Sequence, residues 1–229
     1  MSASPLLTIT NLHKSFTSAD KKHHAVIAGL NFSLFSGEMV AIMGPSGEGK
    51  STLLSLIAHL DTYDAGRITF PQYIQKKAKI DPDALRKEHL GMIFQNNHLL
   101  EDLTLQDNLN MVYILHGKPI NHLRIKSYLQ ELNIEDVANQ RVRLLSGGQK
   151  QRGGIARALI LNPQIILADE PTGNLDSTAS AQVINTLHTF TRDQKNNCSR
   201  GIVIVTHDHA VASRCDRILN LEKGQLTPL

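Results

Sequence analysis

Along the 229 residues, short unbroken apolar runs alternate with stretches whose apolar residues recur every third or fourth position. Met39-Val40-Ala41-Ile42-Met43, after the turn residues Ser36-Gly37, is such a run, as are Ile165-Ile166-Leu167-Ala168 and Ile202-Val203-Ile204-Val205. Continuous runs of this length are the pattern of parallel strands buried on both faces. Leu90-Gly91-Met92-Ile93-Phe94 and the stretch 217–221, closed by Gly224, complete the set. Between them the period becomes helical: residues 51–60 with little polar surface, a short piece at 84–89, and 148–161 stopped by Asn162-Pro163. A further helix after Ser177 puts Val183, Ile184, Leu187 and Phe190 on one face. Strands alternating with helices predict an α/β fold with a mostly parallel sheet covered on both sides.

Two regions depart from that alternation. Near the start, Leu7-Thr8-Ile9 and the stretches 26–30 and 32–35 read as short strands joined by a hairpin-like turn through the polar residues 18–24, with Lys14-Ser15-Phe16 leaving the first strand. Residues 61–66 form a turn, 67–70 another strand, and 75–83 a polar surface excursion. The middle third is helical. Thr104 opens a capping box with Asp107, Leu105, Leu109 and Val112 share a face, and Ile125, Tyr128, Leu129 and Leu132 repeat the spacing. The expected organisation is therefore one domain over 1–229, with a helical subdomain at about 94–144 inserted between 1–93 and 145–229.

The loop after the first buried run, Gly44-Pro45-Ser46-Gly47-Glu48-Gly49-Lys50-Ser51, fits G-x-x-x-x-G-K-[ST] in the strand–loop–helix setting that motif requires, and Thr52 beside it joins the candidate nucleotide-binding residues. Its glycines let backbone N–H groups converge on phosphate oxygens, the helix start adds its positive end, and Lys50 neutralises charge. Ser51 can offer its hydroxyl to Mg²⁺. Parallel strands end on one edge, so Lys50, Asp169-Glu170 and His207 converge on one crevice, and Gln95 stands at a further strand end. Asp169 supplies a carboxylate for Mg²⁺. Glu170 beside it is placed to polarise an attacking water as general base. Phe16 can be core packing or a ring stacked on adenine. Leu145-Ser146-Gly147-Gly148-Gln149 opens a helix, and can be an N-cap with Ser146 as the capping oxygen or an anion site.

Composition narrows the partners. The formal charge of +3, with cations scattered among acids, offers no basic block for nucleic acid. No apolar run approaches the roughly eighteen residues of a membrane span, and no charged segment precedes an apolar core near the start, so neither a span nor a secretory leader is expected. Cys198 and Cys215 share no ligand spacing and read as reduced thiols of a cytosolic protein. The histidines, including His23-His24, lack the partners of a metal site.

Leu145 to Gln149 is also the L-S-G-G-Q signature of the ATP-binding cassette family, which the chain resembles over nearly its whole length. Phe16, the loop from Gly44 to Ser51, Gln95, Asp169-Glu170, Asn174-Leu175-Asp176 and His207 stand in that family's order and spacing. The resemblance implies a phosphate-loop ATPase core with an antiparallel β-subdomain and an inserted helical subdomain, using ATP and Mg²⁺. It makes Phe16 the adenine-stacking residue and Gln95 the lid glutamine that senses Mg²⁺, water and a membrane subunit. Asp176 becomes the intersubunit-loop aspartate, and His207 the switch histidine on the γ-phosphate. It further implies that two copies pair head to tail on ATP, each nucleotide lying between one phosphate loop and the other copy's Ser146, Gly147, Gly148 and Gln149.

The stretches 93–100 and 168–176 are similar to the branch of lipoprotein-release and macrolide-exporter ATPases. That implies a chain held on the cytoplasmic face of the cell membrane without entering it. It would serve a transporter or a mechanotransmission complex, driving a separate permease, contacted near Gln95 to Leu100 and the helical subdomain, that exports or releases lipoprotein-like or other periplasmic cargo. A soluble cassette acting on nucleic acid or ribosomes would carry tandem cassettes, coiled coils or zinc modules; a kinase or GTPase would leave residues 145–149 unexplained. Three positions depart from the family pattern. Glu48 brings a carboxylate to the phosphate loop unless it points outward, Gly153-Gly154 should loosen a helix, and the strand after Gly66 lacks the usual Asn-Gly turn.

Overall fold

The computed structural model describes residues 5–17, 23–74, 81–192 and 199–229. Its elements run β1 (Leu7–Thr17), β2 (His23–Leu34), β3 (Met39–Met43), α1 (Lys50–Ile57), β4 (Ala65–Thr69), α2 (Pro71–Ile74), α3 (Pro82–His89) and β5 (Leu90–Ile93). They continue α4 (Leu105–Leu115), α5 (His122–Glu131), α6 (Gly147–Leu159), β6 (Ile165–Asp169), α7 (Ser177–Arg192), β7 (Gly201–Val205), α8 (His209–Ala212), β8 (Arg217–Glu222) and β9 (Gln225–Pro228). Most of the expected 18–24 turn and 75–83 excursion, and Cys198, lie outside the described residues.

Six strands form one sheet in the order β5-β6-β7-β3-β8-β9, parallel except for β9. Side chains alternate across it, as the pleat demands. Ile166 and Ala168 of β6 and Ile202 and Ile204 of β7 join a core with α4, α5, α6 and α7, while Ile165, Leu167, Val203 and Val205 join a second core. That second core holds Leu53, Leu56 and Ile57 of α1, Leu85 of α3, and the inner face of the antiparallel sheet β2-β1-β4. The sheet is thus covered on both faces, and three of its four inner strands, β6, β7 and β3, are almost fully apolar because neither face meets water.

Several details differ from the sequence reading. The stretches 26–30 and 32–35 belong to a single twelve-residue strand, β2, paired along β1 with register shifts near Ile9 and Leu12. β1 runs to Thr17, so Phe16 does not leave the strand but lies within it. β9 is an added antiparallel edge whose Gln-Leu-Thr-Pro sequence has no apolar face to announce it. Gly153 and Gly154, expected to loosen their helix, are both buried in α6. A Cβ on Gly153 would stand 2.7 Å from Leu105 Cδ1 and 3.2 Å from Leu99 Cδ1, and one on Gly154 would stand 3.2 Å from Asn97 Cβ. Their smallness lets α6 approach the 97–105 segment closely.

Candidate active site

The phosphate loop connects the end of buried β3 to α1. Gly44 (φ 142°) and Gly49 (φ 93°) take conformations that L side chains avoid. Each is also hemmed in: a Cβ would lie 2.4 Å from Leu221 O at Gly44 and 2.2 Å from Val26 Cγ1 at Gly49. Gly49 is the N-cap of α1 and offers no side chain to it, which leaves the first N–H groups of the helix to the adjoining cavity. Lys50 Nζ lies along the loop, donating to Gly44 O and Pro45 O, each at 2.8 Å.

That cavity, about 550 Å³, is lined by Phe16, Val26, Ser46, Gly47, Gly49, Lys50, Ser51, Thr52, Gln95, Asp169, Glu170, Val205 and His207. The ends of β3, β6 and β7 and the start of α1 therefore bring together most of the residues singled out from the sequence. Phe16 is 44% exposed, so the core-packing reading of this ring fails. Lys14 Nζ stands 4.7 Å from the ring centroid and is itself held by Asp61 at 2.9 Å and Thr62 O at 2.7 Å.

Asp169 and Glu170 are adjacent in sequence but differ in surroundings. Burial pushes the Asp169 carboxyl up from its ordinary value; a hydrogen bond with the Ser51 hydroxyl draws it down, the Glu170 charge adds to the rise, and Lys50 opposes it. A carboxylate and a hydroxyl bonded to each other over a phosphate-type loop are a hard oxygen donor set, and the part-buried charge calls for a cation. These residues fit Mg²⁺. Glu170 takes a left-handed backbone (φ 46°) with its N–H donating to Val205 O at 2.9 Å, an arrangement that turns its side chain across the end of β7. Its Oε2 accepts from Thr206 Oγ1 at 3.0 Å, and its Oε1 accepts from His207 N at 3.1 Å and meets His207 Nδ1 at 2.7 Å.

Other expected site residues lie outside the cavity. Glu48 turns its carboxylate away and accepts the Lys223 backbone N–H at 2.9 Å. Pro45 does not line the cavity and takes part through its carbonyl, bonded to Lys50. Ser146 caps α6 in a reciprocal box with Gln149, with the Gln149 N–H donating to Ser146 Oγ at 3.2 Å and the Ser146 N–H to Gln149 Oε1 at 2.9 Å. Gly147 faces open space. Asp176 accepts from Ala179 N at 2.8 Å at the start of α7. None of these lines the cavity formed by their own chain.

Residues 27–173 match the ABC transporter family. The chain belongs to that family. It is 40% identical over 227 residues to the macrolide export ATP-binding/permease protein MacB of Escherichia coli K12 and to MacB of Shigella flexneri. The matches cover 97% of this chain and 34% of each relative, so the chain spans about a third of the length of these curated relatives. Among solved structures it superimposes on a dimeric ATP-binding cassette in a post-hydrolysis state bound to ADP and Pi, with TM-score 0.84, 32% identity and 96% coverage of both chains. A bacterial Atm1-family ABC exporter with ATP bound gives TM-score 0.79 and 28% identity, covering 97% of this chain and 38% of the exporter. As an ABC ATPase, this cassette takes ATP with Mg²⁺ as the partner ion.

Three residues at the cassette's site carry no motif of their own. Thr206 is fully buried and holds Glu170; its only trace in the sequence is a hydroxyl closing an apolar run. Val26 lines the cavity against Gly49, and Lys14 backs Phe16; both sit in ordinary-looking strands, and only the pairing of β1 with β2 carries them to the phosphate loop.

Proposed function

We propose that the cassette hydrolyses ATP as a head-to-tail homodimer and drives a membrane permease of the macrolide-exporter type. Lys50 and the N–H groups of the loop and α1 bind the phosphates, and Phe16 stacks the adenine with Lys14 behind it. Ser51, Asp169 and Gln95 would hold Mg²⁺, which when bound neutralises charge on the phosphate oxygens. Glu170 Oε1 takes the proton of the attacking water; Thr206 and His207 hold that carboxylate in place, and His207 reaches the γ-phosphate. The second copy closes the site with Ser146, Gly147, Gly148 and Gln149, and Asp176 lines the contact between copies.

The observation that carries this reading is the division of labour within one chain. Lys50, Ser51, Gln95, Asp169, Glu170 and His207 gather at one cavity with most of the phosphate loop, while residues 146–149 and 176 present themselves elsewhere on the surface. A second cavity, about 480 Å³ and lined by Phe94, His98, Val112, His116 and Arg157, lies at the junction of residues 94–98 with α4 and α6. It supports residues 94–144 as a helical subdomain, with the permease contact near Gln95 to Leu100. No helix among the described residues is long and apolar enough to cross a membrane. The proposed place is peripheral, on the cytoplasmic face under a permease of the type the macrolide-exporter relatives carry, whose cargo is macrolide-like or lipoprotein-like.

Gly147→Asp tests the composite site. Position 147 has open space around its would-be Cβ and begins α6, where an aspartate suits the helix dipole. The variant should melt like the wild type, yet neither dimerise on ATP in light scattering nor hydrolyse it, because the carboxylate would face the other copy's phosphates. Wild-type hydrolysis by this variant would overturn the composite site.

A further inference from the structure

We propose that Glu48 is a positioning residue for ATP binding, acting through the backbone of the β8–β9 turn. It occupies the middle of the phosphate loop, between Gly47 (φ 89°) and Gly49 (φ 93°), two glycines in backbone conformations that L side chains rarely adopt. Its Oε2 accepts the Lys223 N–H at 2.9 Å. The turn that supplies this donor is anchored from its other side: Ala28 N donates to Gly224 O at 2.9 Å, and Gln225 Nε2 donates to Ala28 O at 3.3 Å. Lys223 itself holds φ 50°, which aims its N–H at the loop.

The tie does two things. A charge-assisted bond to a clamped turn restrains the residue between the two glycines, so the Gly47 and Gly49 N–H groups are held ready for phosphate oxygens before nucleotide arrives. It also keeps a negative charge, at a position facing a tetra-anionic ligand, directed out of the cavity. The loop rests on β8 at Gly44 and on β2 at Gly49, and Glu48 supplies the third point of support.

This inference rests on the ATP reading of the site. The test compares Glu48→Ala with Glu48→Gln, whose amide oxygen can still accept the Lys223 N–H. In steady-state hydrolysis of Mg·ATP, and in titration of the resting protein with ATP, Glu48→Ala should raise KM and Kd by about three- to tenfold with kcat little changed. That is the range open to a solvent-exposed bond of this type. Glu48→Gln should stay within about twofold of wild type. In hydrogen exchange the Lys223 amide should lose protection in Glu48→Ala and keep it in Glu48→Gln. If both variants match the wild type, or both bind ATP more tightly because the carboxylate had been repelling phosphate, the positioning role is overturned. Failure of the wild type itself to bind ATP would instead sink the ATP reading.

Discussion

Replacing Glu170 by glutamine isolates the base from the scaffold that holds it. The carboxylate receives bonds from Thr206 Oγ1 at 3.0 Å and His207 N at 3.1 Å, and contacts His207 Nδ1 at 2.7 Å. An amide oxygen in the Oε1 place keeps the bond from His207 N. The amide NH₂ then faces Thr206 Oγ1, whose hydroxyl can turn to accept while continuing to accept the Asp208 N–H at 3.0 Å. Only the proton of the buried Thr206 hydroxyl loses its acceptor, and the stability change should stay within about 1–3 kcal/mol. What vanishes is the proton acceptor. General-base catalysis is worth about 10²–10⁴-fold, which at 1.36 kcal/mol per tenfold raises the barrier by about 2.7–5.4 kcal/mol. The phosphate contacts through Lys50 and the loop are untouched, so KM for ATP should hold and ATP-bound dimers should accumulate. Phosphate release under saturating Mg·ATP gives kcat, thermal melting checks the fold, and light scattering follows the dimer. A normally melting Glu170→Gln protein whose kcat lies within about tenfold of wild type would show that Glu170 is not the base.

Two further outcomes follow from the geometry. Asp169 has its carboxyl raised by burial, so its ionisation costs stability in the absence of a cation. The cost is nil below the unfolded-state value of 3.8, sets in as pH rises through it, and is complete above the folded-state value. Asp169→Asn should therefore melt higher than wild type at neutral pH without nucleotide, with the difference shrinking in acid, and should lose the extra stabilisation by Mg²⁺ with ATP; an equal or lower melting point at neutral pH would count against it. In Gly153→Ala the helix gains about 1 kcal/mol of propensity but drives a methyl into Leu105 and Leu99, at a cost of about 1–3 kcal/mol. The expected net loss of up to about 2 kcal/mol should lower the urea midpoint, and a more stable variant would refute close packing as the reason for glycine there.

The buried strands and the motifs at their ends were legible because both are local: an unbroken run such as Ile202 to Val205 has one interpretation, and a phosphate loop needs its residues consecutive. What escaped depends on pairing. Phe16 belongs to a strand because β2 extends alongside it, and β9 exists because β8 offers an edge, not because Gln225 to Pro228 favours a strand. The pair Gly153-Gly154 read as looseness because a helix alone gains nothing from glycine; Leu105 and Asn97, some fifty residues away, supply the reason. Glu48 showed its chemistry but not its direction, which is set by a backbone N–H 175 residues further on.

The closeness of α6 to the 94–98 segment also makes a transmission rod. Arg157 donates to Asn97 O at 2.7 Å and His98 O at 2.5 Å, and Gln151 donates to Phe94 O at 3.4 Å and Pro171 O at 3.2 Å. With glycine at 153 and 154 no side chain is interposed to absorb a push by changing rotamer. A displacement applied at residues 94–98 would meet the helix directly, and the eight steps from Gly154 to Ser146, at 1.5 Å each, set its N-terminal end about 12 Å away. That far end is the surface proposed to meet the other copy's nucleotide, so a force on one side of the cassette and the closing of a site on the other become two ends of a single stiff piece.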